Sequence, residues 1–177
     1  MRGLTRITIA VDDETLEVLK RIARGTELSY SAIVRSAVKS FSPGTPEEAE
    51  RLRIWSNMLS KGEHVILDVD HYLLFLKYVE SSPRKEAFYR EGVKVALSHA
   101  EQLLKTIKTP EDYLKRLEAC NLFKLVRGAD GEYTLVLSSE LSKRFIKDLI
   151  STTMSGMGFK FQIKEDLAKL RVDVESG

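Results

Sequence analysis

The sequence predicts an α+β protein in two parts: a short strand with two helices, then a larger body of helices and a small antiparallel sheet. Three observations predict it. The stretch TRITIAV, Thr5 to Val11, alternates apolar and polar residues, as a strand with one buried face does. Several later segments repeat apolar residues at helical spacing. Toward the C-terminus, two apolar runs flank the turn residues Ala129-Asp130-Gly131, and FKFQIKED (159–166) with LRVDV (170–174) reads as two closing strands.

The first strand places Ile7, Ile9 and Val11 on one face and Arg6, Thr8 and Ala10 on the other. Asp12 or Asp13 can cap the helix that follows. Its apolar stripe is Leu16, Leu19, Ile22 and Ala23, and Gly25 is placed to end it. A second helix opens at Ser29 and carries Ala32, Ile33, Ala37, Val38 and Phe41 along one face. SPGTP (42–46) then holds two of the four prolines and marks a boundary.

Beyond that boundary, residues 47–59 read as a charged amphipathic connector helix with Leu52, Trp55 and Leu59 on one side, ended by Gly62. HVILDV (64–69) reads as a strand, HYLLFLKYVE (71–80) as a buried helix and residues 85–107 as a long amphipathic helix. Thr109 and Pro110 are suited to the N-cap and first position of a further helix running to about Cys120. The hairpin spans 122–137, a helix follows from about Ser139 to Met154, and Gly156-Met157-Gly158 breaks the chain before the closing strands.

Composition narrows the function classes. A hydrophobic content of 43% over 177 residues supports a real core and excludes global disorder. No run reaches the roughly 20 apolar residues that cross a bilayer, and the N-terminus lacks the apolar stretch of a signal peptide. A cytoplasmic protein with no membrane partner is expected. The single cysteine, Cys120, excludes an intramolecular disulfide and any CxxC metal or redox motif. Charge is uneven: residues 1–41 carry seven Lys/Arg against five Asp/Glu, and the rest of the chain carries 21 of each. A positive excess confined to the N-terminal segment fits a surface that meets phosphate.

A strand and two helices of about forty residues rarely bury a core without a metal, disulfides or a second chain, and a second chain is the available help. Two copies of TRITIAV paired antiparallel would set Ile7, Ile9 and Val11 of both chains against four helices, as a dimer core. Arg6, Thr8 and Ala10 would then stand twice on the opposite face, in a ribbon that fits the major groove of B-DNA. Here the residues from Leu4 to Phe41 resemble the ribbon-helix-helix superfamily, the group of the Arc, MetJ and CopG repressors. What carries the resemblance is the conjunction of N-terminal strand, acidic cap, first helix, Gly turn and LSYSAIVRSA at the start of the second helix.

The resemblance implies a swapped two-stranded antiparallel ribbon in a homodimer, with Arg6, Thr8 and Ala10 contacting bases. It also implies phosphate contacts from Ser29, Tyr30 and Ser31, at the positive end of the second helix dipole. Arg6 suits a bidentate fork on guanine O6 and N7, a pairing worth about 1–3 kcal/mol of discrimination. Thr8 can donate, accept or lay its methyl on a thymine. Ala10 departs from the polar residue common at the third site and offers only apolar contact.

The expected organisation is therefore a DNA-binding and dimerisation module at 1–42, a linker and connector helix at 43–61, and an α+β domain at 62–177 that binds an effector or mediates oligomerisation. The expected function is a sequence-specific transcriptional regulator, a repressor, whose partners are double-stranded DNA, a second or further copies up to a tetramer, and a small-molecule effector. The alternative is an antitoxin that regulates its own operon. Antitoxin tails are short and disordered, whereas residues 47–177 read as folded.

No catalytic residue, cofactor or metal is expected. No nucleophile–base pair, carboxylate dyad or phosphate loop stands out, and His64, His71 and His99 with Cys120 lack ligand spacing. Cys120 reads as a small buried residue in preference to a redox switch. Residues 110–137 loosely resemble the helix and wing of a winged helix, but with no helix-turn-helix pair ahead of them a structural helix-hairpin is preferred. MSGMGFKF (154–161) reads as a helix end in preference to a ligand turn. Tyr72, Phe75, Tyr78, Phe88 and Tyr89 fit core packing and can line an apolar pocket.

Overall fold

A computed structural model of the chain describes residues 5–41, 44–62 and 64–175. Leu4, and Ser42 and Pro43 of the expected linker, lie outside the described residues. The chain divides into two compact units between Ala49 and Glu50.

The first unit contains α1 (Asp13–Thr26), α2 (Tyr30–Phe41) and the first turn of α3 (Pro46–Ser60). Asp12 is the N-cap of α1, its carboxylate accepting from the Thr15 N–H at 2.7 Å. Gly25 does not end this helix. It lies in the last turn, and Glu27 takes the left-handed conformation (φ 56°) that closes it, its N–H donating to the Ala23 carbonyl. Ser29 caps α2 by accepting from the Ala32 N–H at 3.3 Å. At the start of α3, Thr45 and Glu48 exchange backbone-to-side-chain bonds of 3.0 and 3.2 Å, with Pro46 in the first helical position.

The strand predicted over Thr5–Val11 is not formed in the single chain: residues 5–12 are irregular. A strand needs a neighbour to take up its N–H and C=O groups, and no described segment runs beside this one in a ladder.

In the second unit, the rest of α3 is followed by α4 (Val69–Ser81), α5 (Lys85–Leu103), α6 (Pro110–Ala119) and the hairpin β1 (Phe123–Arg127) and β2 (Glu132–Leu137). A 3-10 turn (Glu140–Ser142) leads into α7 (Lys143–Gly156), and β3 (Phe161–Asp166) and β4 (Lys169–Val174) close the fold. All pairings are antiparallel, in the order β1-β2-β4-β3. Leu135 stands opposite Leu125 on one side and Leu170 on the other. With Val172 and Leu137 it makes the apolar sheet face that packs with Leu114, Ile146 and Ile150 of α6 and α7. The outer face carries ion pairs such as Lys164–Asp173 and Arg171–Asp166.

Local signals explain most of these elements. Thr109 and Asp112 form a full capping box ahead of Pro110. Gly131 takes φ +81° in the hairpin turn. Gly156 lets α7 approach α5 closely, since a Cβ there would stand 2.8 Å from that of Ala100.

Two expectations in this unit are overturned. HVILDV is not a strand: residues 64–68 are irregular, and Val69 already belongs to α4, which Asp68 caps through the Asp70 N–H at 2.8 Å. The cap fixes where α4 begins, and no described strand lies beside residues 64–68 to take up their N–H and C=O groups. Nor is α4 buried throughout. Leu76 is enclosed, but Phe75 and Tyr78 are 57% and 70% exposed. In α3, the enclosed side is set by Met58 with Ile54, Trp55 and Leu59, and Leu52 faces outward.

Candidate nucleic-acid interface

The sequence-predicted reading residues lie in the irregular segment ahead of α1. Arg6, Thr8 and Ala10 are all exposed. So are their apolar neighbours: Ile7, Ile9 and Val11 keep 75, 55 and 43% of their surface in contact with water. Three alternating aliphatic side chains left in solvent form a surface that gains free energy on being covered, about 1.5–3 kcal/mol for each fully buried. The helices that follow offer a matching deficit. Leu16, Leu19 and Ala23 are half-buried, Val18 and Ile22 are exposed, and Ile33 is the one buried side chain described in this unit.

The residues expected at phosphate gather at one helix end. Ser29 precedes α2, and Tyr30 and Ser31 open it; all three are exposed. The Ser29 hydroxyl is occupied by the Ala32 N–H, so the cap fixes where this helix begins. First-turn N–H groups of a helix point outward without intrahelical acceptors and carry the positive end of its dipole, an arrangement that accepts an anion. No acidic residue stands in the first turn of α2 to compete for it, in contrast to α1 with Asp13 and Glu14. Arg35, one turn further on, is exposed as well.

The hairpin is not a free wing, because β2 is an inner strand paired to both β1 and β4. Its basic residues are the exposed Lys124 and Arg127, and Arg127 is paired with Glu111, which also pairs with Lys115 and accepts from the Tyr133 hydroxyl. Arg144 makes a bidentate pair with Glu86, both bonds at 2.7 Å, and lies over the Tyr89 ring at 3.8 Å. The Tyr89 phenol is raised above its ordinary range, mainly by burial and then by its bond to Glu80. Burial likewise pushes the Cys120 thiol up, and the thiol donates to Met58 Sδ at 3.9 Å.

Among the described residues no group of three or more His, Cys, Asp or Glu side chains is placed to hold a metal ion. No described helix is long and apolar enough to cross a membrane. Of the five aromatics expected in the core or around a pocket, Tyr72, Phe88 and Tyr89 join Phe145 in edge and tilted ring contacts at 5.3–6.4 Å, while Phe75 and Tyr78 point outward. Tyr72 lines a cavity, as the sequence reading allowed, but that reading missed Trp55 and residues 64–67, which line it too.

Residues 5–41 match the family model described as ribbon-helix-helix protein, copG family. The rest of the chain has no family match. Members of this family are usually DNA-binding transcription regulators or antitoxins, and they dimerise. No curated protein and no solved structure shows significant similarity to the chain.

Proposed function

We propose, from a chain whose residues 5–41 are a copG-family ribbon-helix-helix module, that the protein is a homodimeric, sequence-specific transcriptional repressor. The observation that carries this reading is the exposure of Ile7, Ile9 and Val11 within the matched segment. Two such segments paired antiparallel bury six aliphatic side chains against the helices, and the same pairing turns Arg6, Thr8 and Ala10 of both chains to one face. That face enters the major groove, Arg6 reading guanine, Thr8 donating, accepting or laying its methyl on a thymine, and Ala10 offering apolar contact. Ser29, Tyr30 and Ser31 set the register on phosphate.

The second unit senses a small molecule or joins dimers into a tetramer on paired sites, so that its state alters how the modules sit on DNA. Its closed core favours a regulator over an antitoxin, whose toxin-binding tail folds only on its partner.

Selection of binding sites from random duplex DNA, with the wild type and Arg6→Ala at two salt concentrations, tests this reading. A pseudo-palindromic motif that degrades in the variant while non-specific binding survives is the expected result. The absence of enrichment at both salts overturns it.

A further inference from the structure

Aromatic side chains stand in water on one flank of the second unit. Leu74, Phe75 and Tyr78 share the outer side of α4, and they are 45, 57 and 70% exposed. Beyond the turn into α5, Phe88 is 39% and Val95 55% exposed. Tyr78 and Phe88 line one recess of about 360 Å³, together with Arg84, Ala87 and Glu91. At about 150–250 Å² for an aromatic side chain, the three rings alone leave roughly 250–400 Å² uncovered. That is the size of the largest apolar patch on a soluble monomer, which is often a functional one.

The charges around the patch identify what fits it. Arg84, Phe88, Glu91 and Val95 fall at i, i+4, i+7 and i+11, on a side of α5 away from the buried Tyr89, Ala96 and Ala100. A cation therefore precedes the Phe88 ring and an anion follows it, about 10 Å apart along the helix axis. Neither Arg84 nor Glu91 makes an ion pair with another described residue, whereas on the opposite side of α5 Glu86 is held by Arg144. An apolar centre with opposite charges at its two ends is complementary to itself: a two-fold axis at Phe88 sets Arg84 of each copy against Glu91 of the other and brings the Phe88 and Tyr78 rings together between them. A phosphate backbone would meet as much repulsion as attraction on the same surface.

We propose that this α4–α5 flank is the surface through which two ribbon-helix-helix dimers of the protein join into a tetramer, with α5 of one copy antiparallel to α5 of another about Phe88. The proposal rests on the tetramer part of the reading given above and names its interface. The apolar area is well below the roughly 800 Å² that each partner contributes to a stable pairwise interface, so a single contact is weak. Two contacts made at once between two dimers gain in strength by on the order of 10²–10⁴. The chain therefore uses this face only when its N-terminal module has already paired.

Sedimentation equilibrium of the full chain without DNA, from the nanomolar to the micromolar range, tests the proposal. The wild type is expected to pass from dimer to tetramer. Tyr78→Asp, Arg84→Glu and Glu91→Arg, all at exposed positions, are each expected to weaken that step by at least about tenfold while the second unit's melting temperature stays unchanged. Arg84→Glu combined with Glu91→Arg is expected to restore the tetramer, because the reversed charges meet again across the two-fold axis. Ile9→Asp, which removes the N-terminal pairing, is expected to remove the tetramer as well.

A wild type that stays dimeric throughout overturns the proposal. So does a tetramer indifferent to Tyr78→Asp, or a double charge reversal that fails to restore it. Site selection on the same wild-type protein keeps the two readings apart: a dimer that enriches an operator motif without forming tetramers overturns this interface alone, whereas a monomer that enriches none overturns the regulator reading with it.

Discussion

Through Ala49, Ile33 is the single buried side chain among the described residues, whereas from Glu50 onward Leu114, Leu135, Ile146, Met154 and Leu170 are wholly out of reach of water. Both regions are built from amphipathic helices of ordinary length, α1, α2 and α6 among them capped by side chains. The difference lies in the strands. Four strands of the second unit pair with one another, and α6 and α7 cover the face they share. The one strand-like segment of the first unit has no strand partner among the described residues and leaves its aliphatic residues in water. Helix propensity therefore does not decide whether a region closes. Whether its strands can find neighbours does, and a region that must borrow a neighbour has a stability that depends on protein concentration.

The sharpest way to break this comparison is to place a charge in the borrowed interface. Ile9→Asp puts a carboxylate where two copies would bury it without a counter-charge, which costs several kcal/mol. Sedimentation is expected to show loss of the dimer, and DNA affinity to fall by more than about a hundredfold, which is about 2.7 kcal/mol. The thermal transition of the second unit is expected to stay where it is. A dimer that survives Ile9→Asp would mean that the chains associate through the second unit.

The converse change sits in the closed core. Ile150→Ala removes buried methyl groups from the inner face of α7 and is expected to lower the second unit's unfolding free energy by about 2–5 kcal/mol in denaturant titration. Dimerisation at temperatures below that transition is expected to remain. A smaller loss of about 1–3 kcal/mol is expected for Gly131→Ala, because the hairpin turn needs φ +81° and an added Cβ would stand 2.7 Å from the Val174 carbonyl oxygen. Thr109→Ala deletes one half of a capping box and is expected to cost about 0.5–2 kcal/mol by the same titration.

These sites also mark how far the sequence could be read. Thr109-Pro110, Ala129-Asp130-Gly131 and the caps at Asp12 and Ser29 are local signals, and local signals fix elements wherever the chain's own neighbours suffice. The reading failed where the outcome depends on what lies across space. HVILDV has the alternation and branched residues of a strand, yet Asp68 nucleates α4 and no ladder awaits the segment. Phe75 and Tyr78 carry helical spacing suited to a core but face outward, because periodicity gives a stripe without saying whether anything covers it. Gly25 was the natural helix end by residue type, but Glu27 supplies the left-handed residue instead. For the candidate interface, the module was legible from residue types alone. Of the cavity only Tyr72 was legible, since Trp55 and Val65 come to it from segments distant in the sequence.

The smallest effect separates the two regions by their response to acid. Thr15 holds the Asp12 carboxyl below its usual value, through its side chain and its N–H, while Arg144 does the same to Glu86 and Lys147 to Glu165. A carboxyl whose pKa is depressed in the folded state adds stability above its unfolded value and loses it as pH falls through the folded one. The loss therefore begins near pH 4 and grows below it. Asp148 runs the other way: burial raises its carboxyl, so folding favours its protonated form and acid offsets part of the loss in the second unit. Asp12 has no such offset beside it, and the first unit is expected to weaken first on acidification. Asp12→Asn keeps the cap's hydrogen-bond acceptor but removes the titration. Its dimer is expected to dissociate less steeply between pH 5 and pH 3 than the wild type, by sedimentation, with the second unit's acid transition unmoved. An unaltered slope would mean that titration of the Asp12 cap does not control the dissociation of the dimer.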